Sequence, residues 1–299
     1  MSRSLARYAL VALSLVLAAC GSSSNAPGTQ SRPAATVNGS AIPMGAFNKQ
    51  VWVQRVQAAR SPSAMDPCSE GQNFVGLCQQ LKQNALDVLI DQELVDQYAK
   101  QHRITVSDAD FNRQWTIIVK DKFHGDNAVL RAFARGQHLT VADFQSFERE
   151  DMVRQAVLGR VTKNMSLRWP STRLSRIVVS DQHGLKNIQS LLKAGRSFNY
   201  VAYLLRANQR SMCAQQACGD LGWIPNVFVP AAEQSAATAR PGTILGPYAS
   251  QSGYTLVQVE AHQSHYLLNV NQEIAMRERI FARWLAIERS HATIHRYVA

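Results

Sequence analysis

The chain has 299 residues, a length that suits two domains better than one. Hydrophobic residues make up 46% of the sequence, which is enough to form buried cores and excludes a wholly disordered chain. The formal charge of +11 predicts anionic rather than cationic partners.

The first 20 residues predict a bacterial lipoprotein signal peptide. A basic n-region precedes an apolar run at residues 8–19, which is shorter than the about 20 residues that a membrane-spanning helix needs. The run ends in the lipobox-like sequence LAAC, in which Cys20 becomes the acylated N-terminus of the mature chain. The alternative is an ordinary signal peptide with an incidental cysteine.

The predicted export signal also indicates a location. Export places the protein on the periplasmic side of the cell envelope. Gly21 is not the aspartate of inner-membrane retention signals, which favours an outer-membrane anchor.

Residues 21–34 are rich in serine, glycine and proline and predict a flexible tether behind the lipid. Loss of Arg3 and Arg7 with the signal peptide leaves 30 basic and 21 acidic residues, a charge of +9. In a cytosolic protein this charge would indicate nucleic acid as a partner. For an exported protein we expect no nucleic acid, and the charge favours anionic membrane surfaces or acidic unfolded polypeptides. An ordinary solvated basic surface is the alternative.

Four cysteines remain once Cys20 carries the lipid. An even number in an exported chain predicts disulfides, and the pairs nearest in sequence are Cys68–Cys78 and Cys213–Cys218. Zinc is the alternative, but neither spacing is C-x2-C and no histidine lies at a suitable offset from either pair. The sequence also has no glycine-rich phosphate loop, no Ser-His-Asp elbow and no H-E-x-x-H motif, so we expect no metal and no cofactor.

Residues 35–42 predict a β-hairpin, because two β-prone runs flank Asn38-Gly39, the preferred pair of a type I′ turn. From residue 44 to about 165 the pattern is helical, and four or five helices are expected. Apolar residues recur there at i+4 spacing, as at Leu86, Ile90, Leu94 and Tyr98. Ser107-x-x-Asp110 and Thr140-x-x-Asp143 each predict a capped helix start.

After Trp169-Pro170 the sequence changes character. Residues 173–259 alternate short apolar runs with helical segments and glycine-containing turns, the composition of an α+β domain. Residues 266–290 again predict an amphipathic helix, and the tail at residues 292–298 is β-prone. We therefore predict an α+β protein. A mostly helical domain at residues 35–165 and 266–299 carries an inserted α+β domain at residues 173–262, and the tail strand adds to the N-terminal hairpin.

Four motifs follow one another across residues 173–259. They are RLSRIVV in a first strand, LLKAGRSFNYVA in a helix–loop–helix, CGDLGWI in a later strand, and RPGTILGPYASQSGYTLVQV at the end. Together they resemble the parvulin-type (PpiC-like) peptidyl-prolyl cis-trans isomerase domain. The surrounding order of signal, hairpin, helices, inserted domain and closing helix resembles periplasmic and lipid-anchored foldases of the SurA and PrsA type.

The resemblance implies an activity and a site. Rotation about an X-Pro amide crosses a barrier of ~18–20 kcal/mol, which a site lowers by holding the proline ring in an apolar pocket and stabilising the twisted amide. Parvulins resemble one another in two inward-facing histidines, a nearby Cys or Asp, and a pocket of Leu, Met and Phe. Here the two histidine positions fall on Arg176 and Thr255, so the resemblance implies an altered active site.

The same resemblance carries over the remaining site positions. The family cysteine falls near Met212 or Cys213, and Ser252 matches a hydroxyl found beside the second histidine. The substrate pocket falls on Leu221, Phe228 and Ala232, where alanine replaces the family phenylalanine.

Two interpretations of the altered site stay open. In the first, Arg176 supplies a permanent positive charge near the substrate carbonyl, Thr255 and Ser252 supply hydroxyls, and Cys213 contributes only when reduced. In the second, Arg176 extends from a core strand towards water or a carboxylate such as Asp220. The domain is then a scaffold with weak or no isomerase activity. The second interpretation is favoured because several site positions have changed together.

The predicted function is folding assistance in the periplasm. By the resemblance, the protein binds unfolded or extended, proline-containing segments of exported proteins, and its isomerase activity is weak or lost. The membrane is a partner through the N-terminal lipid. The alternative is an accessory lipoprotein of envelope or exopolysaccharide assembly, with one dedicated partner and no catalysis.

Overall fold

The computed structural model describes residues 32–59, 66, 68, 75–205, 219–251 and 253–298. The predicted signal peptide with Cys20 and most of the tether lie outside these residues. So do three predicted site residues, Cys213, Cys218 and Ser252, and with them the predicted Cys213–Cys218 pair. Within the described ranges, no helix combines the length and the apolar character needed to cross a bilayer.

In the first half of the chain, the described residues form two short strands followed by five helices. In chain order these are β1 (Ala35–Val37), β2 (Ser40–Ile42), α1 (Met44–Ala58), α2 (Val75–Gln101), α3 (Asp108–Phe123), α4 (Asn127–Gly136) and α5 (Val141–Val161). The second half alternates strands and helices before one long closing helix. Its elements are β3 (Arg168–Val179), α6 (Gln182–Lys193), α7 (Phe198–Leu205), β4 (Asp220–Pro225), 3-10 turns at Asn226–Phe228 and Ala231–Ala237, β5 (Ile244–Ser250), β6 (Gly253–Leu267), α8 (Val270–His291) and β7 (Ile294–Arg296).

A three-stranded antiparallel sheet brings the two ends of the described chain together. Its strand order is β2-β1-β7, and Thr36 of β1 lies opposite His295 of β7. At the hairpin turn, Asn38 and Gly39 have φ values of 52° and 86°, the left-handed conformations that a type I′ turn requires. The predicted hairpin and the predicted addition of the tail strand are both confirmed.

The predicted helix starts are also observed. The Ser107 side chain accepts a hydrogen bond from the Asp110 backbone N–H at the start of α3. Thr140 and Asp143 exchange the reciprocal bonds of a capping box at the start of α5. Asp143 also binds Nζ of Lys49 in α1, and this bond, together with those from Thr140, lowers the pKa of the Asp143 carboxyl to about 2. A local cap thus also ties two helices together.

The helical core is closed by the last helix of the chain. Apolar side chains of α2, including Leu86 and Ile90, are buried against Phe281 and Leu285 of α8. Arg289 of α8 adds a 2.5 Å ion pair to Asp91 of α2. Because α8 follows the inserted segment, this core is built from two parts of the chain that are distant in sequence.

The inserted segment forms a four-stranded antiparallel sheet with strand order β4-β3-β6-β5. Successive side chains of a strand point to opposite faces. One face carries Ile177 and Leu256, which pack with side chains of α6 and α7. The other face carries Leu174 and Val257, which pack with Ala236 of the second 3-10 turn. A helical layer and an irregular segment therefore cover the two sides of the same sheet.

The two long strands β3 and β6 continue beyond the sheet as a ribbon towards the helical domain. Arg168 lies opposite Leu267, and Trp169 lies opposite Tyr266. The prediction of a helix from Tyr266 is therefore wrong, because pairing with β3 satisfies the backbone of that segment as strand. Helix α8 begins at Val270, where Asn269 and Gln272 form a capping box.

Cys68 and Cys78 lie together near the start of α2, with their sulfur atoms 2.02 Å apart. Next to them, the Asp66 carboxylate accepts hydrogen bonds from the Cys68 backbone N–H at 2.9 Å and from the Arg55 guanidinium of α1. The Arg55 hydrogen bond is the main cause that lowers the pKa of Asp66. This corner thus joins the end of α1 to the start of α2.

Candidate functional site

The two positions predicted to replace the parvulin histidines lie on one face of the four-stranded sheet. Arg176 of β3 is directly opposite Val257 of β6, and Val178 is directly opposite Thr255. Residues directly opposite in antiparallel strands point to the same side, so Arg176 and Thr255 are diagonal neighbours. Thr255 is also opposite Tyr248 of β5. The register therefore brings together the two predicted catalytic residues that lie within the described chain.

The charge of Arg176 is held by a buried carboxylate. Its Nη2 donates a hydrogen bond of 2.6 Å to Oε2 of Glu233, a residue with 6% exposure in the second 3-10 turn. The Arg176 Nε atom is buried and makes no hydrogen bond within the part of the chain that the structure describes. A carboxylate at this distance offsets the positive potential that a free guanidinium would present to a substrate carbonyl.

Asp220, the carboxylate suggested for Arg176, binds another arginine. It lies opposite Ser175 in the β3–β4 register and so faces the side of the sheet away from Arg176. Its partner is Arg173, at 2.6 Å. The hydrogen bond from Arg173 is the main cause that lowers the pKa of Asp220. The expectation that Arg176 pairs with Asp220 is wrong because adjacent strand positions point to opposite faces.

Glu233, the partner of Arg176 in the candidate site, was not identified from the sequence. It is the only acidic residue in the sequence between Asp220 and Glu260. That isolation was the one feature of the sequence that could have indicated it as a partner for an arginine. Its burial and its distance from Arg176 depend on how the 3-10 turn crosses the sheet, which residue spacing does not reveal.

A cavity of about 340 Å³ opens beside Arg176. Apart from Arg176 it is lined by apolar side chains, which are Ile177, Val178, Ala202, Leu205 and Leu221. Val178 and Leu221 are 53% and 41% exposed, so the cavity is open to solvent. Of the predicted pocket residues, the structure brings Leu221 to Arg176.

The other two predicted pocket residues face elsewhere. Phe228 lies in the turn after β4, and the guanidinium of Arg279 from α8 stands over its ring, 5.9 Å from the centroid. Ala232 is exposed, next to Glu233 in the second 3-10 turn. Neither position lines the cavity beside Arg176, so neither supplies the aromatic side chain that the parvulin resemblance implies there.

His262, at the end of the sheet, makes two contacts within the fold. His262 Nδ1 lies 3.0 Å from Thr172 Oγ1, and its Nε2 lies 2.7 Å from the carbonyl oxygen of Ala239. Among the described residues, no group of three or more His, Cys, Asp or Glu side chains is arranged to hold a metal ion.

A second cavity lies in the helical domain. It has a volume of about 370 Å³ and is lined by side chains of α1, α2, α4 and α5 and of the turn between α4 and α5; we call it the helical cavity. Its apolar lining includes Leu89, Leu139 and three phenylalanines, Phe133, Phe144 and Phe147. Its polar lining consists of four glutamines, Glu150, Asp151 and Arg154; the glutamines are Gln50, Gln57, Gln92 and Gln137. The cavity can thus offer both aromatic surface and amide groups.

The chain matches one family model and is similar to known foldases and chaperones. Residues 2–158 match the family model described as the SurA-like N-terminal domain. The Foldase protein PrsA of Caldanaerobacter subterraneus is 24% identical over 294 residues, which cover 93% of this chain and 93% of that protein. The Periplasmic chaperone PpiD of Haemophilus influenzae is 28% identical over 193 residues, which cover 60% of this chain and 29% of that protein.

Solved structures of similar proteins were also found. A peptidylprolyl isomerase (PrsA) from Bacillus anthracis matches with a TM-score of 0.41 and 20% identity, covering 67% of this chain and 89% of that one. A PpiC-type peptidyl-prolyl cis-trans isomerase domain matches with a TM-score of 0.27 and 23% identity, covering 34% of this chain and 98% of that one.

Proposed function

Because the chain belongs to the family with a SurA-like N-terminal domain, we propose that it is a periplasmic folding factor that binds extended segments of exported proteins. The observation that carries this proposal is the family match over residues 2–158. The full-length similarity to a protein named as a foldase supports it, as does the similarity to one named as a periplasmic chaperone. The helical domain supplies the cavity in which such a segment has room to bind.

The isomerase activity of the inserted domain is weak or lost. Acceleration of X-Pro rotation requires a preorganised charge at the twisted amide and an apolar wall for the proline ring. Here the Arg176 charge is paired with Glu233 at 2.6 Å, and the Phe228 ring contacts Arg279. Thr255 provides a hydroxyl where the family has a histidine. Arg176, Thr255 and Leu221 are the described residues through which any remaining activity acts, and Cys213 and Ser252 complete the candidate set.

The protein is anchored by a lipid on Cys20 after removal of residues 1–19, and the outer membrane is the favoured location. Residues 21–34 form the tether, residues 35–165 and 266–299 the chaperone-like domain, and residues 173–262 the parvulin-like domain. The Cys68–Cys78 and Cys213–Cys218 pairs are disulfides in the oxidising periplasm.

Two assays on the purified protein test the proposal. We expect suppression of aggregation of an unfolded client, and no acceleration of cis-trans isomerisation in a proline-containing tetrapeptide above the uncatalysed rate. A clear acceleration that falls in Arg176→Ala and Thr255→Ala would restore the enzyme interpretation. Absence of suppression, with capture of one stoichiometric partner from cell envelopes, would instead indicate an accessory lipoprotein with a dedicated partner.

A further inference from the structure

The lining of the helical cavity includes a polar side chain that makes no hydrogen bond within the described residues. Gln137 is only 8% exposed and lines the cavity. Its backbone N–H bonds to Ala134, but its side-chain amide makes no hydrogen bond to any residue that the structure describes. Its amide atoms are not among the buried atoms that lack a partner, so they are open to solvent in the cavity. A bound peptide backbone can replace that solvent with both a donor and an acceptor.

Large apolar side chains at the cavity are incompletely covered. Phe133 is 37% exposed and Val88 is 46% exposed. The Phe133 ring stands against the rings of Phe123 and Phe144, with centroids 5.2 and 5.7 Å apart. This arrangement leaves an aromatic surface that a further aromatic or large aliphatic side chain can join.

The same cavity carries negative charge in a protein that is otherwise strongly basic. Burial is the main cause that raises the pKa of Glu150, and the nearby carboxylate of Asp96 raises it further. Burial likewise raises the pKa of Asp96. No lysine or arginine acts on either carboxyl among the described residues: Glu150 accepts a bond from Ser146, and Asp96 accepts one from Gln92.

The basic residue in the cavity lining is engaged elsewhere. The guanidinium of Arg154 lies over the ring of Phe281, 4.6 Å from the centroid, and its charge acts on Asp91. Among the described residues, Glu150 and Asp151 therefore form no ion pair, and two carboxylates against the one guanidinium of Arg154 leave the lining with an excess of one negative charge.

We propose that the helical cavity is a subsite for client segments in which an aromatic or large aliphatic side chain is flanked by lysine or arginine. The apolar side chain enters the phenylalanine-lined part, the Gln137 amide bonds the client backbone, and the flanking cation lies against Glu150 and Asp151. This inference rests on the proposed folding function and names the class of segment that the protein prefers.

Binding of labelled peptides, measured by fluorescence anisotropy, tests the inference. Three proline-free peptides differ only in their central residues: a phenylalanine between two lysines, a phenylalanine between two glutamates, and a serine between two lysines. We expect the first peptide to bind about fivefold more tightly than the glutamate peptide, the upper end of what one partly exposed charge pair supports. We expect the serine peptide also to bind more weakly than the first, because it lacks the apolar side chain that enters the phenylalanine-lined part. Equal affinity for the lysine and glutamate peptides would overturn the inference.

Two variants connect the preference to the cavity. Glu150→Gln removes a charge while keeping the side-chain shape, so we expect the lysine preference to shrink about fivefold with little change in binding of the glutamate peptide. Gln57→Trp, at an exposed position of the cavity lining, is expected to weaken every peptide that contains phenylalanine. Matched controls are Glu278→Gln and Gln83→Trp, at exposed positions outside the lining.

Aggregation suppression, measured in parallel, separates this inference from the proposed function. If the protein suppresses aggregation but Gln57→Trp and Glu150→Gln leave peptide binding unchanged, the subsite is wrong and the folding function stands. If the protein neither suppresses aggregation nor binds any of the peptides, both fail.

Discussion

Arg176 lies on the four-stranded sheet and lines the open cavity beside it. Its guanidinium donates a hydrogen bond to Glu233, 57 positions further along the chain. On an apolar strand such a residue has either a catalytic or a structural role. Glu233 supplies the structural partner, with a side chain that is only 8% exposed. Because a buried carboxylate needs a compensating charge, the pair holds the second 3-10 turn against the sheet.

Removing one member of the pair is expected to cost stability. Glu233→Gln leaves Arg176 without its counter-ion, and we expect the free energy of unfolding in urea to fall by about 2 kcal/mol. The exposed Glu278→Gln is the matched control and should change it by less than about 0.5 kcal/mol. Replacing both partners, as Arg176→Met with Glu233→Leu, is expected to recover much of the loss. A Glu233→Gln protein as stable as the control would mean that the pair has no structural role.

At the scale of the elements, the capping box of α5 combines a local contact with a long-range one. The Asp143 carboxylate bonds the start of its own helix and also Lys49 of α1. The sequence predicted the first contact from the spacing of Thr140 and Asp143. The second contact depends on how α1 and α5 are packed together.

The cap makes stability depend on pH. Because the pKa of Asp143 in the folded protein is lowered to about 2, its contribution is complete above about pH 5 and is lost as the pH falls towards 2. In Asp143→Asn the amide oxygen can still bond the helix start but has no charge for Lys49. We expect the difference in unfolding free energy between the two proteins to shrink steadily from pH 5 to pH 2. A difference that stays constant over that range would contradict this assignment.

The closing helix α8 is expected to stabilise helices that precede it by almost two hundred residues. Phe281 is fully buried in the helical core, so Phe281→Ala should lower the free energy of unfolding by about 3–5 kcal/mol. Ile274 lies on the same helix but is 55% exposed, and Ile274→Ala should cost less than about 0.5 kcal/mol. Similar costs for the two variants, measured by urea unfolding, would show that α8 does not pack as described.

At the scale of the whole molecule, the chain leaves and re-enters the helical domain at one point. The backbone N–H of Leu268 donates a hydrogen bond of 2.9 Å to the carbonyl oxygen of Leu167. The ribbon of β3 and β6 begins there. The inserted domain is therefore connected to the helical domain through two neighbouring backbone positions, Leu167 and Leu268. The similarity to SurA- and PrsA-type foldases that the motif order predicted is confirmed by the comparisons.

This geometry predicts that the inserted domain can be excised. Replacing residues 168–267 with an Asn-Gly linker joins two positions that are already hydrogen-bonded, so the helical core and the sheet of β1, β2 and β7 should still form. We expect a cooperative urea transition and retained suppression of client aggregation. An excised protein that is folded but inactive in suppression would place client binding in the inserted domain, and one that fails to fold would contradict the two-domain division.

The sequence by itself determined the elements whose causes are local. The Asn38-Gly39 turn, the caps at Ser107 and Thr140, and the helical periodicity of α2 each depend on neighbours within a few residues, and each is present. The order of the four parvulin-like motifs identified the inserted domain for the same reason, since a motif is itself a local pattern.

Only the tertiary structure decided which groups meet. The pairing of Arg176 with Glu233, and not with Asp220, depends on strand register and on the path of a 3-10 turn. The strand conformation of Tyr266 depends on its partner Trp169, and the helical cavity depends on the packing of four helices. Hydrogen bonds, ion pairs and burial between distant segments have no signature in residue spacing, because their free energy exists only once the chain has folded.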